Sequence, residues 1–175
     1  MKSYTLVKHV VIFVFILIFL EGCASRGTTT TITPMTLKLS TYKTMLFNIS
    51  SQVPESSEEI TQLETMTIAK LREKRLFDKV ISGSASPDAQ TDLRLNAKII
   101  QLKKVSPGAR VMVGAMAGRA GIDVEVELFD LKESKSIGTF IAQGRSSGGT
   151  VFAGTTPQAV ERAAEQIVEF IQKNM

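Results

Sequence analysis

Histidine and cysteine are almost missing from this chain of 175 residues: one of each, His9 and Cys23, and there is no tryptophan. After Cys23 the sequence holds no imidazole and no thiol. Ser-His-Asp triads, Cys-His dyads and Cys/His zinc sites all need those groups and are excluded. Hydroxyl–lysine or carboxylate chemistry would remain, and no spacing suggests it. The reading is a protein that is not an enzyme, with no catalytic residue, no metal site and no cofactor. A lone cysteine also makes no disulfide within the chain. Charge of one sign is scarce as well: 21 basic residues against 17 acidic leave +4. That is too mild to imply a nucleic-acid partner. The densest run, LREKR at 71–75, reads as a solvated helix end.

Long apolar runs are absent with one exception. Val10–Leu20 is apolar throughout, and Lys2 and Lys8 precede it. A bilayer takes roughly 20 residues to span, so this stretch is too short for a transmembrane helix and reads as an export signal. Leu20, two further residues and Cys23, with small Gly22 before the cysteine, resemble the lipobox of bacterial lipoproteins; Glu21 departs from its usual small or apolar residue. The resemblance implies cleavage after Gly22, a diacylglycerol on Cys23 Sγ, acyl chains of the palmitate kind and a membrane partner reached through that anchor. Ala24, in place of aspartate, is similar to the sorting pattern for the outer membrane, facing the periplasm.

Removing residues 1–22 from 175 leaves 153, enough for one domain with a core. Without Lys2, Lys8 and Glu21 the balance becomes 19 basic against 16 acidic. The expected organisation is a signal peptide at 1–22, a lipid anchor and flexible tether at 23–35, and a single α+β domain at 36–175. Ala24–Pro34 is rich in Thr, Ser and Gly, which motivates the tether. Met35–Ile49 has β character, with Leu37 and Leu39 alternating with polar residues, then Met45, Phe47 and Ile49. SSEE at 56–59 spells a capping box, with Ser56 and Glu59 reciprocally bonded ahead of a helix to about Leu76. FDKVIS at 77–82 is a short strand. Leu93, Leu95, Ala97 and Ile99, and again Ile122, Val124, Val126 and Leu128, alternate with polar residues as half-buried strands do. If these two pair, a basic face meets an acidic one. Another strand covers roughly Ile137–Arg145. Thr156 as cap, Pro157 in the first turn, and Val160, Ala163, Ala164, Ile167, Val168 and Ile171 mark a closing helix. The order strand, helix, four strands, helix predicts an α+β fold of two layers: a mainly antiparallel sheet covered by two helices.

DLRLNAKII, the Gly/Ala-rich insert ending in AGRAG, VEVELFD, the glycine-rich loop after Gly144 and AVERAAEQIVEFI together resemble a bacterial lipoprotein family called domain of unknown function 4410. The resemblance covers about residues 90–173 and implies no chemistry. The order of elements is also similar to the amino-terminal domain of the Tol-system propeller protein, and to periplasmic lipoproteins that assemble secretion channels or activate wall synthases. That implies work through protein contacts: an accessory factor or subunit of an envelope complex, or a homo-oligomer. The alternative is a periplasmic binder of a small ligand or cell-wall fragment, in a cleft between the sheet and loops 104–120 and 144–156.

Three segments compete as sites. GRSSGGTVFAGTT at 144–156 runs into a helix start but has no P-loop lysine, so a connecting loop is the simpler reading. Glu161 and Glu165, with Arg162, read as the solvated face of the last helix. VMVGAMAGRAG at 111–121 is apolar and small, and Val111, Val113, Gly114, Met116, Gly118 and Arg119 are the candidate interaction residues. Cys23 is the lipidation site.

Overall fold

The computed structural model describes residues 26–83, 91–105, 118–147 and 154–175. Among these, six strands form one sheet: β1 (Arg26–Thr33), β2 (Thr44–Ser51), β3 (Lys79–Ser82), β4 (Leu93–Lys103), β5 (Gly121–Asp130) and β6 (Lys135–Arg145). Two helices, α1 (Ser57–Glu73) and α2 (Thr156–Lys173), complete the fold. The sheet order is β1-β6-β5-β4-β2-β3. It is mostly antiparallel but mixed, because β2 runs parallel to both β3 and β4. The architecture is α+β with both helices on one face.

The core follows the period-2 pattern. Leu93, Leu95, Ala97 and Ile99 on β4 and Ile122, Val124, Val126 and Leu128 on β5 all point into it. The apolar stripe of α2 covers them with Val160, Ala163, Ile167 and Ile171. Each large aliphatic side chain so buried contributes about 1.5–3 kcal/mol relative to exposure. Phe140 of β6 stacks on Phe170 of α2, ring centroids 3.7 Å apart. At Gly144 the helix lies directly on the strand. A Cβ there would come 1.9 Å from the Ala159 carbonyl oxygen and 2.6 Å from the Ala163 nitrogen, so only glycine fits.

Several expectations are corrected. The stretch expected to be a flexible tether is instead β1, paired antiparallel with β6 from Arg26↔Arg145 to Thr33↔Thr139. Its threonines are β-branched and suit an extended edge strand, and Pro34 ends it. Residues 35–43 are not a strand. Leu39 is buried in a 3₁₀ turn at Leu39–Thr41 while Leu37 is exposed, so their spacing of two reflects a turn. The capping box does not form: Ser56 Oγ donates to the Val53 carbonyl at 2.8 Å, and Glu59 pairs with Lys104 Nζ at 3.0 Å. Thr156 is inside α2 with Thr155 at the cap position, because the Thr156 hydroxyl is taken by the Val105 N–H at 3.0 Å. The parallel strands also went unread. A one-sided apolar pattern is the same for either direction, and the β2–α1–β3 crossover decides it.

Candidate interaction surface

The helices cover one face of the sheet and leave the other uncovered, so that face carries polar side chains in cross-strand register. Asn48 Nδ2 donates to Asn96 Oδ1 at 3.3 Å, and Asn96 Nδ2 to Glu127 Oε2 at 3.1 Å. Lys98 stands opposite Glu125, as the meeting of basic and acidic faces required. Arg94 faces Phe129 rather than an acid, its guanidinium 4.6 Å from the ring centroid. On β1, Thr28 Oγ1 donates to Gln143 Oε1 at 3.0 Å.

The described candidate residues Gly118 and Arg119 lead into β5; Cys23, Val111, Val113, Gly114 and Met116 lie outside the described residues. Gly118 has φ +79°, which glycine adopts without strain, so a need for glycine there has a backbone cause apart from any close packing. Arg119 is exposed and lines a cavity of about 250 Å³ with Gln101, Lys103, Gly121, Asp123 and Arg145. Lys103, Gly121, Arg145 and Arg26 form one row across β4, β5, β6 and β1. The acid in the cavity, Asp123, is buried: Arg145 Nη1 is 2.5 Å from Oδ1, and Gln143 Nε2 donates to Oδ2 at 3.1 Å. Arg145 Nη1 also donates to the carbonyl oxygens of Ile122 and Gly144, at 3.0 and 3.1 Å. Arg119 was legible as the one charge in an apolar stretch. Lys103, Asp123 and Arg145 were not, because they are far apart in sequence and meet only through strand register.

The opposite end of the sheet carries a different cluster. Tyr42 Oη donates to Asp130 Oδ2 at 2.7 Å, and the Lys132 and Glu133 N–H groups donate to Oδ1 at 2.8 and 2.9 Å. Asp92 Oδ2 accepts from the Thr44 hydroxyl and the Lys43 N–H, both at 3.2 Å, while Lys132 Nζ lies 2.7 Å from Oδ1. The Glu133 N–H bond outweighs burial to hold Asp130 below its ordinary value, and the Lys132 bond does the same for Asp92. Burial and the Asp130 carboxylate push the Tyr42 hydroxyl well up. Both carboxylates are surrounded by donors, which suits fastening the end of β5, the turn after it and the approach to β4 to the chain around the start of β2 rather than proton transfer.

Glu165 does more than the solvated face expected of it. It is half-buried between the helices, 3.3 Å from Lys70 Nζ of α1 and paired with Arg162. Burial opposes ionisation, yet the Arg162 and Lys70 bonds prevail and its pKa is lowered. A second cavity of about 340 Å³ lies between the helix starts, lined by Glu58, Glu59, Gln62, Lys104, Val105 and Thr155–Pro157. Glu59 is its buried charge, paired with Lys104. Among the described residues, no helix is long and apolar enough to cross a membrane, and no three metal-ligating side chains converge.

A family model described as a domain of unknown function, DUF4410, matches residues 37–150, and the chain belongs to that family. No curated protein matches it. Two solved structures of PelC dodecamers from Paraburkholderia phytofirmans, one a point variant, are similar in fold at 16% identity. They align over 82% of this chain and 95% or 96% of theirs, with TM-scores of 0.53 and 0.54. Protein XCC0632 from Xanthomonas campestris, of family DUF330, aligns over 80% of this chain and 85% of its own at 10% identity. Its TM-score is 0.47.

Proposed function

We propose that this member of the DUF4410 family is an envelope lipoprotein, anchored through Cys23 in the outer membrane and facing the periplasm, whose domain is non-catalytic and works by assembling with copies of itself or with a protein partner. The observation that carries the reading is β1: eight residues long, at the edge of the sheet, with neither charge nor proline between Gly27 and Thr33. Exposed edges of that kind are normally blunted by shortness, lysine or proline, as β3 is at the other edge with four residues and Lys79. Among the described residues no strand pairs with the outer edge of β1, which would present its backbone groups to another chain, with Ile32 exposed on it at 52%. That the PelC structures of similar fold are dodecamers supports the homo-oligomeric form of the reading.

The experiment is sedimentation velocity of the acylated protein in detergent, compared with Ile32→Lys. Assembly through β1 gives a multimer that the added charge dissociates while the melting temperature is kept. A wild type that sediments as a monomer across the accessible concentration range would sink self-association, and co-purification would then decide between a foreign partner and none. The alternative, binding of a small ligand or cell-wall fragment, has the cavity beside Glu59 and Lys104 in its favour. Calorimetric titration with wall fragments tests it directly.

A further inference from the structure

Residues expected to keep the domain at a distance from the membrane are used up in β1. Arg26 is already paired with Arg145, so two residues, Ala24 and Ser25, separate Cys23 from the sheet, or three Cα-to-Cα steps of chain. Fully extended, they reach about 10 Å. The end of the sheet that holds Arg26, Arg145, Gly121 and Lys103 in one row must then lie close to the headgroups around the acylated cysteine. This is the end that carries Lys103, Arg119 and Arg145, with Asp123 as the acid in their cavity and Arg145 already committed to it. Lys103 and Arg119 are exposed. Cations within about 8–10 Å of an anionic surface are inside the screening length and are attracted to it. The opposite end, with its carboxylates enclosed by donors, is a strand length away, about 30 Å for the ten residues of β5.

We propose that this basic end of the sheet rests on anionic lipid headgroups, with Lys103 and Arg119 making the contact, so that the domain is held in a fixed orientation with the Tyr42–Asp130 end pointing away from the bilayer. The proposal rests on the lipid-anchor reading for the closeness of the two surfaces, and its own content is the charge-dependent orientation.

The test uses the full chain, exported and acylated, in vesicles of phosphatidylcholine alone or mixed with phosphatidylglycerol. Cys23 is the only cysteine, so once it is acylated an introduced cysteine is the single free thiol. Gln101→Cys places a fluorophore at the basic end and Glu133→Cys at the other; both positions are exposed. A headgroup nitroxide lipid serves as quencher. The expected result in anionic vesicles is quenching several-fold stronger at 101 than at 133. The ratio should fall toward one in neutral vesicles, in about 1 M salt where the screening length is ~3 Å, and in Lys103→Glu with Arg119→Glu. Equal quenching at the two positions in anionic vesicles overturns the orientation. A ratio indifferent to lipid charge and to both substitutions overturns the headgroup contact. Flotation of the same samples separates this from the anchor. Protein that floats with both vesicle types but shows no end preference removes this inference alone. Exported protein that mass spectrometry finds without acyl chains, and that floats only with anionic vesicles through Lys103 and Arg119, removes the anchor alone. Protein that floats with neither removes both.

Discussion

The two ends of the sheet are held by different means. At one end β6 presses on α2 through backbone contact, Gly144 lying against Ala159 and Ala163, and the side chains left over are cations with Asp123 among them. At the other, Tyr42, Asp130, Asp92, Thr44 and Lys132 consume one another's hydrogen-bonding capacity. Polar groups that satisfy each other are a fastening; charges that outnumber their partners are available to something else. The contrast is what motivates the contact surface proposed at the basic end.

Substitutions sharpen that contrast in order of expected size. Gly144→Val should cost the most, about 3 kcal/mol or loss of folding, because overpacking typically costs 1–3 and here the contact is with backbone that cannot rotate away. Chemical denaturation measures it; a loss below about 1 kcal/mol would mean the helix shifts freely and the end is not backbone-held.

Asp130→Ala should follow at about 2–3 kcal/mol, since it strands the Tyr42 hydroxyl and two backbone N–H groups. Thermal melting and denaturant titration should agree, and a near-neutral result would deny that this end is a fastening.

Acidification makes the same point without mutation. Asp92 and Asp130 have lowered pKa values, so their contribution is present above the ordinary carboxylate value of about 4 and is lost as pH falls through the folded values below it. Melting temperature should be flat from about pH 7 to 5 and decline below about 4. In Asp130→Ala the decline should be shallower.

At the basic end Asp123→Asn should cost about 1 kcal/mol or less, because the Arg145 side chain it pairs with is partly exposed at 39%. The same change should strengthen binding to anionic vesicles, measured by flotation, since it removes the local anion. Stability and binding moving in opposite directions there, with binding unmoved by Asp130→Ala at the other end, would be the clearest form of the contrast.

Glu165→Ala is the smallest, about 0.5 kcal/mol, for a partly exposed pair between α1 and α2. A loss above about 2 kcal/mol would promote the Lys70–Glu165 bridge to a main tie between the helices.

Sequence alone determined the elements whose apolar spacing is long and regular. β4 and β5 repeat their buried residues at every second position along most of their length, and α2 repeats its own over more than four turns, and the burial demanded by that repetition leaves little choice of conformation. The absence of histidine after Cys23 and of a second cysteine was decided at the same level, and so was the family, although its match over residues 37–150 begins before the patterns that suggested it and ends short of the closing helix. Tertiary structure alone decided what lacks such repetition. Arg26–Thr33 has no apolar face to announce a strand; its threonines became β1 because β6 offered an open row of backbone groups to pair with. Ser56 lost its capping partner because Lys104, some fifty residues away, took Glu59. Gathering Lys103, Arg119 and Arg145 at one end needed β4, β5 and β6 to pair in one particular register. Burial is a property each residue carries along the chain, whereas charge proximity is a property of pairs, and pairs exist only once the sheet has formed.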